Sequence, residues 1–263
     1  MDAHRHNSVT FIQRHHCQPS GRMVLQKDVI LSKSRKVGII TLNRPPFNLL
    51  HRGMVNTLGR IVEKAIEDDE IHVIVITGGP KVFSEGIDLE AFSSMSVDEK
   101  RDFIESGQKV VWDIEHIPKP TIAAMAGKGL GAGLEIALAC DMRLASEDSQ
   151  FGHPEVTQGL IPLFGNTFRL ERLIGRSKAR SLIFIGEPIP AWEALEIGLL
   201  GKVTPNEVLQ EEALLAASRI ASQPHDMIRL AKEAMLTTDN EQVKSVLDFT
   251  MKSMVRPRVN KEE

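Results

Sequence analysis

The stretch from Thr121 to Asp141, TIAAMAGKGLGAGLEIALACD, constrains the fold of this 263-residue chain more than any other. TIAAMAG is small and apolar, the composition of a strand buried on both faces. Gly127, Gly129, Gly131 and Gly133 follow, and glycines at alternate positions permit a backbone path that side chains would block. LEIALAC then has no breaker and is rich in Leu and Ala, so a helix is expected to begin near Gly131 or Ala132. The first N–H groups of such a helix have no partner within it and sit at the positive end of its macrodipole. A developing negative oxygen is well placed there.

Glu135 lies one turn into that helix, and Glu155 follows in FGHPEV (151–156). A carboxylate beside free amides outlines an acid/base site. Two other readings stand beside it. Alternating glycines after a strand also resemble a dinucleotide-binding turn, but that pattern belongs to an early βα unit, with an acidic residue near the end of the next strand. Taken singly, each glutamate is also compatible with a solvated position. The flanks GAGL and IALAC leave Glu135 little polar surface to share.

Strands are expected at VGIITL (37–42), HVIVIT (72–77), PTIAAMA (120–126) and MRLAS (142–146), separated by helical or turn-rich segments. That alternation implies crossover connections and a largely parallel sheet. From Ala191 onward the sequence reads as helical: AWEALEIGL, then 207–222, 225–236 and 241–254, each with an apolar stripe.

Composition excludes several classes of function. A net charge of -3 without a long basic run gives no electrostatic footprint for nucleic acid. Cys17 and Cys140 are too few for a disulfide framework, supply no metal site and fit a reducing compartment. No apolar run is long enough to cross a bilayer. Residues 1–22 differ from the rest, with His4, His6, His15 and His16 in two pairs and no apolar period, and read as a disordered extension or as translation begun upstream of Met23. Arg5, Arg14 and Arg22 against Asp2 alone leave an organellar matrix open beside the expected cytoplasm.

NRPPFNLL (43–50), VIVITGGPKVFSEGIDLEAF (73–92), KPTIAAMAGKGLGAGLEIALACDMRLAS (119–146), FGHPEVTQGLIP (151–162) and AWEALEIGLLGKV (191–203) together resemble the successive motifs of the enoyl-CoA hydratase/isomerase (crotonase) family, in order and spacing. The resemblance runs from about Asp28 to the C-terminal helices. It implies an α/β fold in which a crotonase-like spiral of ββα units (23–190) is followed by a C-terminal helical oligomerisation region (191–263), assembled as a homotrimer or homohexamer. The family hosts several reactions, so the reaction type rests on individual positions.

By resemblance, Glu135 and Glu155 fall where family hydratases hold the two glutamates that bracket the attacking water. The oxyanion donors become the main-chain amides of Ile87 and Ala132, and the substrate contacts Asn48, Leu49, Glu85, Asp88 and Leu89. Asp88 also reads as the cap of a helix through LEAF. Where family hydratases usually read IPGAGGTQRL, this chain reads Ile161-Pro162-Leu163-Phe164-Gly165-Asn166-Thr167-Phe168-Arg169-Leu170. Leu163 stands in place of a glycine whose amide, in the family, helps hold the catalytic water. Leu163, Phe164 and Phe168, with Ile87, either shorten the acyl pocket toward short or flat groups or simply pack against the core. The expectation is a reversible hydratase of α,β-unsaturated acyl-CoA thioesters, with no metal and no cofactor beyond the coenzyme A of its substrate. Alternatives are a double-bond isomerase using Glu155 and a non-catalytic binding protein on the same fold.

Overall fold

The computed structural model describes residues 24–26, 28–236, 248, 251 and 252; the segment 1–22 lies outside them. A seven-stranded sheet runs in the order β1-β2-β3-β4-β5-β7-β10, and a three-stranded one in the order β6-β8-β9. The large sheet comprises β1 (Val24–Gln26), β2 (Val29–Ser34), β3 (Val37–Leu42), β4 (Val73–Thr77), β5 (Thr121–Met125), β7 (Met142–Ser146) and β10 (Lys202–Thr204). Its first two pairings are antiparallel and the rest parallel. The small sheet comprises β6 (Lys128–Leu130), β8 (Gln150–Gly152) and β9 (Ile189–Pro190).

The chain winds as a spiral, each turn leaving the large sheet through a bridge or a short strand and then entering a helix. After β3, Leu50 bridges to Ile87 and the chain enters α1 (Arg52–Glu67). After β4, Ser84 bridges to Gly129 ahead of α2 (Leu89–Ser94) and α3 (Val97–His116). β5 leads through β6 to α4 (Ala132–Ala139), and β7 through β8 to a 3-10 helix at Pro154–Gln158, followed by α5 (Asn166–Ile174), α6 (Arg176–Ile185) and α7 (Ala191–Glu196). Corresponding points of successive turns stack, so Ile87, Ala132 and Glu155 come to one place from three separate turns.

Both faces of the central strands are covered, which is why they read as unbroken apolar runs. Ile74 and Ile76 face a core shared with α1, α3 and α4, whereas Val73 and Val75 face α8 (Asn206–Ala221). α8 meets the sheet with Leu209, Ala213, Ala217 and Ala221 at helical spacing, and the three alanines let the backbones approach closely. α3 opens with a reciprocal cap between Ser96 and Glu99.

The four expected strands are present. The expectation that the sequence is helical from Ala191 is corrected at Lys202–Thr204, which forms β10 parallel to β7. Three residues at a sheet edge are too short to carry a period-two signal. The helices expected at 207–222 and 225–236 are α8 and α9 (His225–Leu236), while that at 241–254 lies outside the described residues except for Asp248, Met251 and Lys252, which are helical. α9 is fastened by Lys232 Nζ, which donates to Asp141 Oδ2 at 2.8 Å and to the Lys119 carbonyl at 3.1 Å. Among the described residues no helix is long and apolar enough to cross a membrane, and no cluster of three or more His, Cys, Asp or Glu side chains could hold a metal.

Candidate active site

A cavity of about 320 Å³ opens where the spiral turns meet, lined by Leu49, Glu85–Glu90, Gly131, Ala132, Glu135, Pro154, Glu155, Gln158 and Leu163. Two turns form its floor. At Gly86 (φ 101°) an added Cβ would lie 3.6 Å from the Ala132 nitrogen, so the turn before Ile87 abuts the start of α4. At Gly131 (φ 50°) an added Cβ would lie 2.9 Å from Glu155 Oε1, so both the conformation and the space reserve this position for glycine. Among the described residues, neither the Ile87 nor the Ala132 N–H donates to a backbone acceptor outside the regular elements. Ala132 is the first residue of α4, where an N–H has no intrahelical partner.

The first turn is held in place by Asn48. Its side-chain amide donates to the carbonyls of Gly78, Val82 and Phe83, and its Oδ1 accepts from the Arg44 N–H at 2.8 Å. Ser84 Oγ donates to the Asn48 carbonyl and accepts from the Gly86 N–H. Asn48 is therefore a fastening of the loop and is not among the residues that line the cavity. Asp88 caps α2 by accepting from the Ala91 N–H, and that bond, helped by the Arg44 guanidinium, keeps its carboxyl below the usual range. Leu49, Glu85, Asp88 and Leu89 do line the cavity.

Glu135 is fully buried, and its carboxylate caps the start of α5 (Asn166–Ile174) from outside that helix. Gly165, at the cap position, has no side chain to satisfy the first amides. Oε1 accepts from the N–H of Phe164 at 2.8 Å and of Asn166 at 3.0 Å, and Oε2 accepts from Leu163 at 3.2 Å. Burial, reinforced by the charge of Glu155, nonetheless pushes Glu135 up to about 7, against the pull of His153 and of the Asn166 and Phe164 amides. The amide of Leu163, expected to hold a water, is thus directed at Glu135.

Leu163 alone of the expected bulky residues after Pro162 lines the cavity. Phe164 does not: its ring lodges against Gly107, where an added Cβ would lie 2.1 Å from Cε1, and meets Phe103 edge-on at 5.7 Å. The Phe168 ring stacks beneath the Arg169 and Arg172 guanidinium groups, at 4.6 and 5.4 Å. Neither residue is among those that line the cavity.

Glu155 is buried on the 3-10 helix, which Pro154 starts and Gly159, at φ 72°, ends. His153 Nδ1 lies 3.3 Å from each of its carboxylate oxygens. His153 and Asn166 join the site beside the expected residues, and a histidine two residues before Glu155 at an apolar strand end is the signal in the sequence that marks it.

The model of the family described as Enoyl-CoA hydratase/isomerase matches residues 32–262. A short-chain-enoyl-CoA hydratase of Clostridium acetobutylicum is 40% identical over 210 residues, covering 79% of this chain and 80% of that protein. A crotonyl-CoA hydratase of Syntrophomonas wolfei is 37% identical over 227 residues, covering 86% of each. The crystal structure of an enoyl-CoA hydratase from Bacillus anthracis superimposes with a TM-score of 0.78 at 33% identity, covering 88% of this chain and 92% of that one.

Proposed function

This chain belongs to the enoyl-CoA hydratase/isomerase family and has the crotonase fold, and from that premise we propose that it adds water reversibly across the Cα=Cβ bond of a 2-enoyl-CoA thioester. The observation that carries this reading is the convergence of two buried carboxylates and two main-chain donors on one cavity.

Hydration needs a base for water at Cβ, an acid for Cα, and donors for the thioester oxygen as it becomes enolate-like. Glu135, held as an acceptor by three amides, is placed to take a proton from the water. Glu155, beside Gly131, is placed to deliver a proton to Cα. The N–H groups of Ile87 and Ala132 receive the oxygen. The hydroxyl of the water ends on Cβ, its proton on Glu135 and the proton of Glu155 on Cα, and proton exchange then returns both glutamates to their starting states. No step calls for a metal or redox group.

The acyl group is proposed to be short or flat. Leu163, Ile87, Leu89 and Leu49 bound a small cavity, and the curated relatives named above carry short-chain and crotonyl names. Glu85 and Asp88, which line the cavity, are paired with Lys128 at 3.2 Å and Arg44 at 2.9 Å. Phe184, Ile185 and Trp192 are more than half exposed, which supports assembly into a trimer or hexamer. Loss of enoyl absorbance with crotonyl-CoA and a panel of longer, branched and cyclic enoyl-CoAs tests the reaction. Product analysis separates hydration from double-bond migration, and failure on every enoyl-CoA refutes the reading.

A further inference from the structure

His153 belongs to this site yet takes no part in the chemistry above. Its side chain is fully buried ahead of the 3-10 helix and does not line the cavity. Nδ1 meets both oxygens of Glu155 at 3.3 Å, and Nε2 lies 3.0 Å from the Asn166 side-chain nitrogen. Asn166 is buried too, and its main-chain N–H is one of the three donors to Glu135. The ring therefore lies on a continuous polar path between the two glutamates.

Charge gives that path a purpose. The cation-forming side chain that meets Glu155 is His153, at 3.3 Å. The ionisable groups facing the ring are Glu155 on its own segment and Glu135 on α4; α5 presents the neutral Asn166. Two carboxylates buried side by side disfavour ionisation of both unless a cation compensates. An imidazolium carries a proton on each nitrogen. Nδ1–H then donates to Glu155, and Nε2–H needs an acceptor. Asn166 Oδ1, a buried atom with no hydrogen-bond partner, supplies one after a half-turn of the side-chain amide, whose O and N positions are interchangeable in shape. In either orientation one end of the amide meets the ring, so the protonation of the ring selects which end.

We propose that His153 is a positioning residue carried as an imidazolium, which holds the Glu155 side chain toward the cavity and supplies the counter-charge that favours the ionised form of Glu135. Burial pulls the ring's pKa down, but the charge of Glu155, the hydrogen bond to it and the charge of Glu135 outweigh burial and leave it above the ordinary histidine value.

The proposal deepens the hydratase reading, and its test separates the two. Ring-nitrogen NMR shifts of histidine-labelled wild-type enzyme report the charge of His153 directly, without turnover. The signal is assigned by its loss in His153→Gln or, should that variant not fold, by its shift in Glu155→Gln. Two protonated nitrogens at pH 7.5 are expected, and a neutral tautomer overturns the proposal. Kinetically, His153→Gln keeps a donor to Glu155 without the charge. Its kcat for crotonyl-CoA should fall about tenfold to a hundredfold with KM within about threefold, and the acid limb of kcat/KM should move about one pH unit upward. A folded His153→Gln with an unmoved pH profile overturns it as well, whatever its kcat. An enzyme inert toward every enoyl-CoA refutes the hydratase reading and leaves the nitrogen shifts readable.

Discussion

The main-chain N–H of Phe164 donates to Glu135 Oε1 at 2.8 Å while the ring of the same residue is lodged against Gly107 of α3. One residue thus ties the orientation of a buried carboxylate to the packing of a helix outside the cavity. Arg169 strengthens the tie, because it donates to the Phe164 carbonyl and pairs with Glu115 of α3 at 2.6 Å.

Gly107→Ala separates this coupling from helix propensity. Propensity alone favours alanine within a helix by about 1 kcal/mol. The new Cβ would lie 2.1 Å from the Phe164 ring, and such overpacking costs about 1 to 3 kcal/mol. A lower melting temperature is expected, with kcat reduced about tenfold because the amide on Glu135 moves with the ring. A variant more stable than wild type, with unchanged kcat, would show that the ring can yield without disturbing the site.

The glutamate pair sets the pH dependence. Glu135 acts as a base only when ionised, and its carboxyl is pushed up to about 7. Hydration measured as kcat/KM should therefore fall about tenfold per unit as the pH drops below that value. Glu135→Gln and Glu155→Gln should each reduce kcat by about two to four orders of magnitude with little change in substrate binding. Near-normal turnover in either variant would remove that residue from the chemistry, and an acid limb near 4 would mean that Glu135 is not the group being titrated.

The oxyanion donor at Ala132 can be deleted with little damage to the helix. Ala132 is the first residue of α4, a position that accepts proline because its N–H is unpaired in any helix. Ala132→Pro should fold, as checked by circular dichroism, and lose about a hundredfold to a thousandfold in kcat. Ala132→Gly retains the donor and should remain within about tenfold of wild type. An active proline variant would place the thioester oxygen elsewhere.

Leu163 is the remaining lever on acyl selectivity, since Phe164 and Phe168 point away from the cavity. The wild type should turn over four-carbon or planar ring enoyl-CoAs faster than eight-carbon straight chains, and Leu163→Gly should narrow the ratio. One misplaced methylene typically costs about 1 to 3 kcal/mol, or about tenfold to two hundredfold in kcat/KM. A wild-type preference for the longer chain would show that the acyl group does not run against Leu163.

The sequence by itself determined the parts of this protein that local composition can encode. Unbroken apolar runs gave the central strands because both faces of each are covered. The glycines before Ala132 and the apolar flanks of Glu135 marked a helix start with a buried carboxylate, and Asp88 announced its cap. Tertiary structure decided what each side chain does, because those roles depend on partners far along the chain. Asn48 fastens carbonyls at Gly78, Val82 and Phe83; the Phe164 ring turns to Gly107 while its N–H turns to Glu135; and Asn166 meets His153. A main-chain amide looks the same in every sequence, and its direction is fixed only once the spiral turns are stacked. A three-residue edge strand such as β10 likewise has no periodicity of its own and exists because β7 offers it a partner.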